Sequence, residues 1–228
     1  MNFRHRSCAL ALVMLLLVTG CAKKKRMPVS AAAPRPAAAM PHIGDEETGI
    51  ASWYGYPYHG RRASDGEIYD MEKLTAAHRT MPFGTVVEVR NLANDLTVSV
   101  RINDRGPFVD GRVIDLSRAA ARQIRMLGPG TANVRLRVVA LPESVPDGYF
   151  AVQVGAFRER ANADHRRKEM EERFGSARLV VRDGNPALWR VLVGHETTAE
   201  GAAALAGRVK KAAGPAFVVR VDAFESNL

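Results

Sequence analysis

The chain predicts two folded modules of different class, a mainly β barrel with one helix over residues 49–141 and an α+β sheet of order βαββαβ over residues 148–228. Three observations carry this. Past Gly49 the chain breaks into short β-rich runs separated by turn residues, and Val134, Leu136 and Val138 alternate with Arg135, Arg137 and Val139, as in a strand buried on one face. Farther on, Val152-Gln-Val-Gly155 returns as Val191-Leu-Val-Gly194, 39 residues later, each followed by a helical stretch and another strand. About 180 residues remain beyond the N-terminal segments, which suits two small domains.

Before the modules, Arg4 and Arg6 precede an apolar run from Ala9 to Val18 that ends at Thr19-Gly20-Cys21. A bilayer crossing needs about 20 apolar residues, so residues 1–20 read as a secretory signal peptide. Val18-Thr-Gly-Cys21 resembles a bacterial lipobox, with Val18 where Leu is favoured, and the resemblance implies that Cys21 becomes the lipidated first residue. Cleavage there removes Cys8 and leaves a single cysteine, so no intramolecular disulfide forms and each module must be held by its own core.

Residues 21–48 follow as the lipidated cysteine and a disordered Ala/Pro tether, rich in Ala and Pro from Met27 to Met40, unable to bury enough apolar area to offset its ordering entropy. Extended at about 3 Å per residue, it reaches on the order of 80 Å. The net charge is +9 and is spread along the chain, with +3 in residues 148–228. Only Lys23-Lys-Lys-Arg26 is dense. Beside the cysteine it reads either as a contact for anionic headgroups or as a solvated start to the linker, and no nucleic-acid partner is expected.

In the barrel, Thr85-Val-Val-Glu-Val-Arg90 and Thr97-Val-Ser-Val-Arg-Ile102 flank Asn94-Asp95 and predict a hairpin. Ser117 is placed as the N-cap of a helix from Arg118 to Met126, ended by Gly128-Pro129. Residues 142–147 form a turn-rich linker. In the second module, Glu159 to Phe174 and Thr198 to Ala213 read as helices, Arg178 to Arg182 and Ala216 to Val221 as return strands, and Asp183-Gly184-Asn185 as the turn between halves. Two helices on one face of a sheet follow.

Ser52-Trp-Tyr-Gly55, Gly66-Glu67 with Asp70-Met71, Thr75-Ala-Ala-His78, Arg101-Ile-Asn-Asp-Arg-Gly-Pro-Phe108 and Ile114-Asp-Leu-Ser117 stand in one order over residues 49–141. Together they resemble the double-psi β-barrel domain of the rare lipoprotein A family, which implies six strands in a double-psi topology. Active members are lytic transglycosylases, so the resemblance implies endolytic cleavage of the MurNAc-GlcNAc β-1,4 bond of peptidoglycan with formation of 1,6-anhydroMurNAc. It also implies Asp104 as the general acid/base, with Glu67 and His78 in support.

The residues themselves agree with that assignment. Hydrolases usually divide glycosidic cleavage between two carboxylates. Attack by the C6 hydroxyl of the same sugar is intramolecular, so one acid that later serves as base suffices. Asp104 follows a β-run and precedes Gly106-Pro107, where a strand enters a loop. Arg105 beside it would oppose the acid role, while burial or a nearby Glu67 would favour it. Asp65 stands where the family more often has Asn; both tolerate a left-handed turn, and an added carboxylate could shift Glu67. The spacings of Glu67, His78 and Asp104 match no compact zinc motif, so no metal and no cofactor are expected.

Trp53 and Tyr54, with Tyr56 and Tyr58, supply aromatic faces that stack on sugars, with core packing the alternative for Trp53. Tyr149-Phe-Ala-Val-Gln-Val-Gly-Ala-Phe157 and Leu188-Trp-Arg-Val-Leu-Val-Gly194 resemble a SPOR domain, the septal peptidoglycan-binding module. Gln153 and Arg190 are candidate glycan contacts on an open sheet face, as are Phe157 and Trp189, for which core packing is the equal alternative. The resemblance implies peptide-free (denuded) glycan at the division septum as substrate, divisome proteins as partners, and a lipid anchor on the periplasmic face of the outer membrane, since Ala22 rather than Asp follows the cysteine. The alternatives are a non-catalytic, expansin-like wall-binding lipoprotein and a structural septal factor.

Overall fold

A computed structural model describes residues 40–145, 147–182 and 187–222. Cys21, the signal, the tether as far as residue 39 and the Asp183-Gly184-Asn185 turn lie outside the described residues.

The first module is a closed barrel of β1 (Glu46–Tyr54), β2 (Thr75–Ala77), β3 (Val86–Asn91), β4 (Thr97–Asp104), β5 (Arg112–Ser117) and β6 (Thr131–Ala140). Their order round the barrel is β1-β5-β2-β4-β3-β6. The β1–β5 and β2–β4 pairs are parallel and the rest antiparallel, the mixed closure of a double-psi barrel. The β3–β4 hairpin forms as read, with Asp95 supplying the left-handed residue at φ 60°.

β1 begins three residues inside the segment read as tether. Glu46 and Thr48 pair with Arg137 and Arg135 of β6, so these polar residues form a solvated strand face rather than a solvated coil. The helix is also shorter than its composition predicts. α1 (Arg118–Gln123) is capped by the Ser117 hydroxyl, which accepts the Ala120 N–H at 3.2 Å, and stops where Arg125 turns left-handed at φ 54°. Stopping there sends Ile124 and Met126 into the barrel core beside Val87, Ile102, Ile114 and Leu136. Burying side chains of this size stabilises by roughly 1.5–3 kcal/mol each.

The second module contains β7 (Gly148–Phe157), α2 (Arg160–Phe174), β8 (Ala177–Arg182), β9 (Leu188–Glu196), α3 (Ala199–Ala213) and β10 (Phe217–Asp222), the expected βαββαβ order. The antiparallel sheet runs β10-β7-β9-β8. Met170 of α2 and Leu205 and Val209 of α3 share a core with Val152, Val191 and Val193, so both helices cover one face. Tyr149, Val180, Leu192, Val219 and Val221 point to the other face, and no helix among the described residues covers it. Phe108 of the barrel packs there instead.

Candidate active site

Asp104 is the last residue of β4, and a bulge aims it. Ala76 of β2 pairs with Ile102 while Ala77 pairs with Asp104, so β4 carries one extra residue, Asn103. An inserted residue of this kind bends a strand and redirects the side chain that follows. Asp104 is only 3% exposed and its carboxylate is well held. Its Oδ1 accepts from the Ser64 hydroxyl at 2.6 Å, from the Ser64 N–H at 3.1 Å and from the Arg105 N–H at 2.8 Å. With Oδ1 occupied by these donors, Oδ2 is the oxygen left to handle a proton. It accepts from Arg182 Nη2 of β8 at 2.7 Å.

The guanidinium against Asp104 is therefore not that of its neighbour. Arg105 turns away, donating to the carbonyls of His78, Met81 and Arg220 and pairing with Asp222, and lies 3.5 Å over the Phe83 ring. The guanidinium bonded to Asp104 is that of Arg182, which no sequence spacing links to it.

Glu67 is reached through a turn in which Asp65 does the work of the expected Asn. Asp65 Oδ1 accepts the Glu67 N–H at 2.9 Å and Gly66 takes φ +91°, so the turn keeps its form. Arg101 Nη2 donates to Glu67 Oε2 at 2.6 Å, and this bond, against an opposing desolvation, holds the Glu67 carboxyl below its ordinary range. An anion stabilised in this way suits electrostatic support better than proton donation. Asp65 behaves oppositely. Burial raises its carboxyl above the ordinary range, against the hydrogen bond from Glu67 N–H, while the Glu67 and Asp104 charges add to the rise.

His78 ends the β2 string, and its ring is fully engaged. Nδ1 accepts the N–H groups of Thr80 and Met81 at 3.2 and 3.1 Å, so the proton sits on Nε2 and is donated to Glu47 at 3.1 Å. Its own N–H donates to the Asp104 carbonyl at 3.1 Å. His78 thus braces the strand end that carries Asp104, while its imidazole bonds to Glu47 rather than to Glu67 or Asp104.

The aromatic residues divide. Trp53 packs against the barrel core, the alternative weighed for it. Tyr54 stacks on Tyr69 at 4.3 Å, and burial, then the nearby Asp104 charge, raises its phenol well above the ordinary value. Among the described residues the Tyr54 hydroxyl has no hydrogen-bond partner, although it is buried. In the second module Phe157 and Trp189 pack on the helix-covered core. Gln153, directly opposite Leu192 in the ladder, and Arg190, two residues from it, belong to the other face. The sheet therefore does not bring the four candidate contacts to one surface.

Ser64 and Arg182 escaped the sequence reading. Ser64 lies inside the string Ala63-Ser-Asp-Gly-Glu67, yet nothing local says that its hydroxyl reaches a carboxylate 40 residues on.

A family model described as lytic transglycolase matches residues 46–136, and a SPOR domain model matches residues 146–220. The chain is 43% identical over 146 residues to the endolytic peptidoglycan transglycosylase RlpA of Campylobacter jejuni, covering 53% of each chain. To the protein of that name from Helicobacter pylori strain J99 it is 40% identical over 182 residues, covering 66% of this chain and 57% of the relative. The chain spans about half the length of such curated relatives. Among solved structures, a Streptomyces papain inhibitor aligns over 45% of this chain and 100% of its own, with a TM-score of 0.38 and 26% identity.

Proposed function

The chain belongs to the rare lipoprotein A (RlpA) family, and from that premise we propose that it is an endolytic peptidoglycan lytic transglycosylase in which Asp104 is the general acid and base. The observation that carries the reading is the Asp104 carboxylate itself, fixed through Oδ1 by Ser64 and Arg105 so that Oδ2 is the working oxygen. In its acid form Oδ2 gives a proton to the glycosidic oxygen as the bond from C1 of N-acetylmuramic acid to N-acetylglucosamine breaks. The C6 hydroxyl of the same muramyl residue closes on C1, and its proton passes to Asp104, which restores the acid and leaves a 1,6-anhydro end without water.

Glu67, kept anionic by Arg101, supports the positive charge that develops on the muramyl ring. The buried Tyr54 hydroxyl is a donor available to a sugar oxygen. His78 is a positioning residue. The second module presents its sheet to denuded glycan at the division septum, and the lipid on Cys21 holds the chain at the periplasmic face of the outer membrane. Divisome proteins are the proposed protein partners.

The test is mass spectrometry of products from peptide-free glycan. Wild type yields 1,6-anhydromuramyl ends and Asp104→Asn, still folded, yields none. Reducing ends alone would identify a hydrolase instead. A second reading, a non-catalytic wall-binding protein, draws on the ion pair that caps Oδ2; glycan binding with no soluble product from any variant would establish it.

A further inference from the structure

The open face of the second module's sheet lies against the barrel at the site just described. Arg182 holds Asp104, and the Arg105 guanidinium pairs with Asp222, both side chains fully buried. The Arg220 N–H donates to the Arg79 carbonyl at 3.0 Å, and the Arg220 carbonyl accepts from Arg105 Nε at 3.0 Å. Phe108 meets Phe217 edge to face at 6.0 Å. The proposed catalytic oxygen and the proposed glycan face therefore cover one another.

The chemistry of the cap indicates what removes it. Arg178, Val180 and Arg182 alternate along β8 and share a face; Arg178 lies 4.3 Å over the Tyr149 ring, on the side where Val180 and Leu192 are buried. A guanidinium recognises carboxylates by charge-assisted N–H donation, and here Arg182 Nη2 donates to Asp104 Oδ2. Peptide-free muramic acid carries a free lactyl carboxylate, whereas in peptide-bearing glycan that group is an amide with no charge. A glycan strand freed of its stem peptides thus offers this sheet the same ligand that Asp104 offers it. The contacts of the interface are mainly polar, and buried ion pairs roughly balance their desolvation cost, so the closed arrangement is held without being locked.

We infer that Arg182 is a carboxylate receptor whose resting ligand is Asp104 and whose competing ligand is the lactyl carboxylate of denuded glycan, so that the correct substrate uncovers the catalytic oxygen. This rests on the catalytic reading above and adds the basis of its substrate selection. It makes Arg182 a specificity-determining residue on a module remote in sequence from the barrel.

The test uses the full chain and peptide-free glycan in two forms, one with free lactyl carboxylates and one with those groups converted to neutral methylamides. Wild type is expected to cut the free-acid form at least about tenfold faster, the worth of a charge pair of modest strength. Arg182→Gln is expected to bring the two rates within about twofold of each other, chiefly by accelerating cleavage of the neutral glycan, while Arg182→Lys retains part of the discrimination. Backbone hydrogen exchange at the Arg220 amide reads the interface without turnover: slow in the free chain, faster with free-acid glycan, unchanged by the neutral form. Loss of activity on both glycans alike in Arg182→Gln, or exchange at Arg220 that ignores free-acid glycan, overturns the proposal. If no variant releases product, the catalytic reading fails, and the exchange measurement still decides whether the carboxylate opens the interface.

Discussion

Arg105 and Asp104 are adjacent in the chain but serve opposite sides of the loop: the Arg105 backbone N–H steadies the Asp104 carboxylate while its guanidinium pairs with Asp222 from the last described strand. One residue thus joins the geometry of the site to the packing of the second module. Removing one partner of such a buried pair leaves the other charge uncompensated. Asp222→Asn is expected to cost about 3–5 kcal/mol, read as a lowered urea midpoint of the full chain. A change within about 0.5 kcal/mol would mean that Arg105 finds solvent or another partner.

Ser64→Ala tests how the acid is held. The Ser64 hydroxyl is a 2.6 Å donor to Asp104 Oδ1, and its loss leaves the Ser64 and Arg105 N–H groups to orient the carboxylate. Turnover of peptide-free glycan is expected to fall by about tenfold or more with KM nearly unchanged, because the lost contact positions the acid rather than the sugar. A rise in KM at unchanged kcat would assign Ser64 to substrate binding instead.

Tyr54→Phe separates site from scaffold. The hydroxyl has no partner among the described residues, so its removal should leave stability unchanged or slightly raised. Glycan turnover should nonetheless fall by roughly three- to tenfold if the hydroxyl donates to a sugar oxygen. Thermal unfolding and initial rates measured on one preparation decide it.

His78→Ala should act mainly on stability. The substitution deprives the Thr80 and Met81 N–H groups of their acceptor, at about 1–3 kcal/mol for each group that stays buried. Chemical denaturation of wild type and variant checks this, and a variant of wild-type stability without activity would return His78 to the catalytic set.

Glu67 gives a pH signature of known sign. Its folded-state carboxyl lies below the ordinary value of 4.5 because Arg101 bonds it, so the stabilisation is fully present above that pH and is lost as pH falls through the lowered value. Both side chains are more than a third exposed, at 37% and 50%, so solvent screening limits the effect to about 1 kcal/mol or less. The urea midpoints of wild type and Glu67→Gln should differ slightly at pH 7, converge as pH falls through the lowered value, and differ less in high salt.

Much of this architecture is readable because strands and helices of sufficient length declare their period. Val134, Leu136 and Val138 are all buried, as their alternation requires, and both long helices of the second module begin within one residue of the expected place. β2 has three residues, all buried, too few to show any alternation, and only the string that ends at His78 marked it. The start of β1 was hidden because polar residues on an outward strand face look like tether. The site was legible as residue types and not as contacts. Ser64 stands beside Asp65 in the turn that leads to Glu67, but its bond to Asp104 depends on barrel closure, and Arg182 depends on the docking of a second module, which no local pattern encodes.

The place of β1 in the barrel has a consequence for how the molecule is assembled. This first strand lies between β5 and β6, and Glu46 is paired with Arg137, near the far end of the module. Nothing can complete the ring until almost the whole barrel sequence is present, so closure is governed by contacts distant along the chain and is intrinsically slow. A chain threaded amino end first through an export channel would have to carry β1 unpaired, its edges open to wrong neighbours, until β6 arrives. Truncation within Thr131–Ala140 should therefore leave aggregation-prone material rather than a smaller barrel.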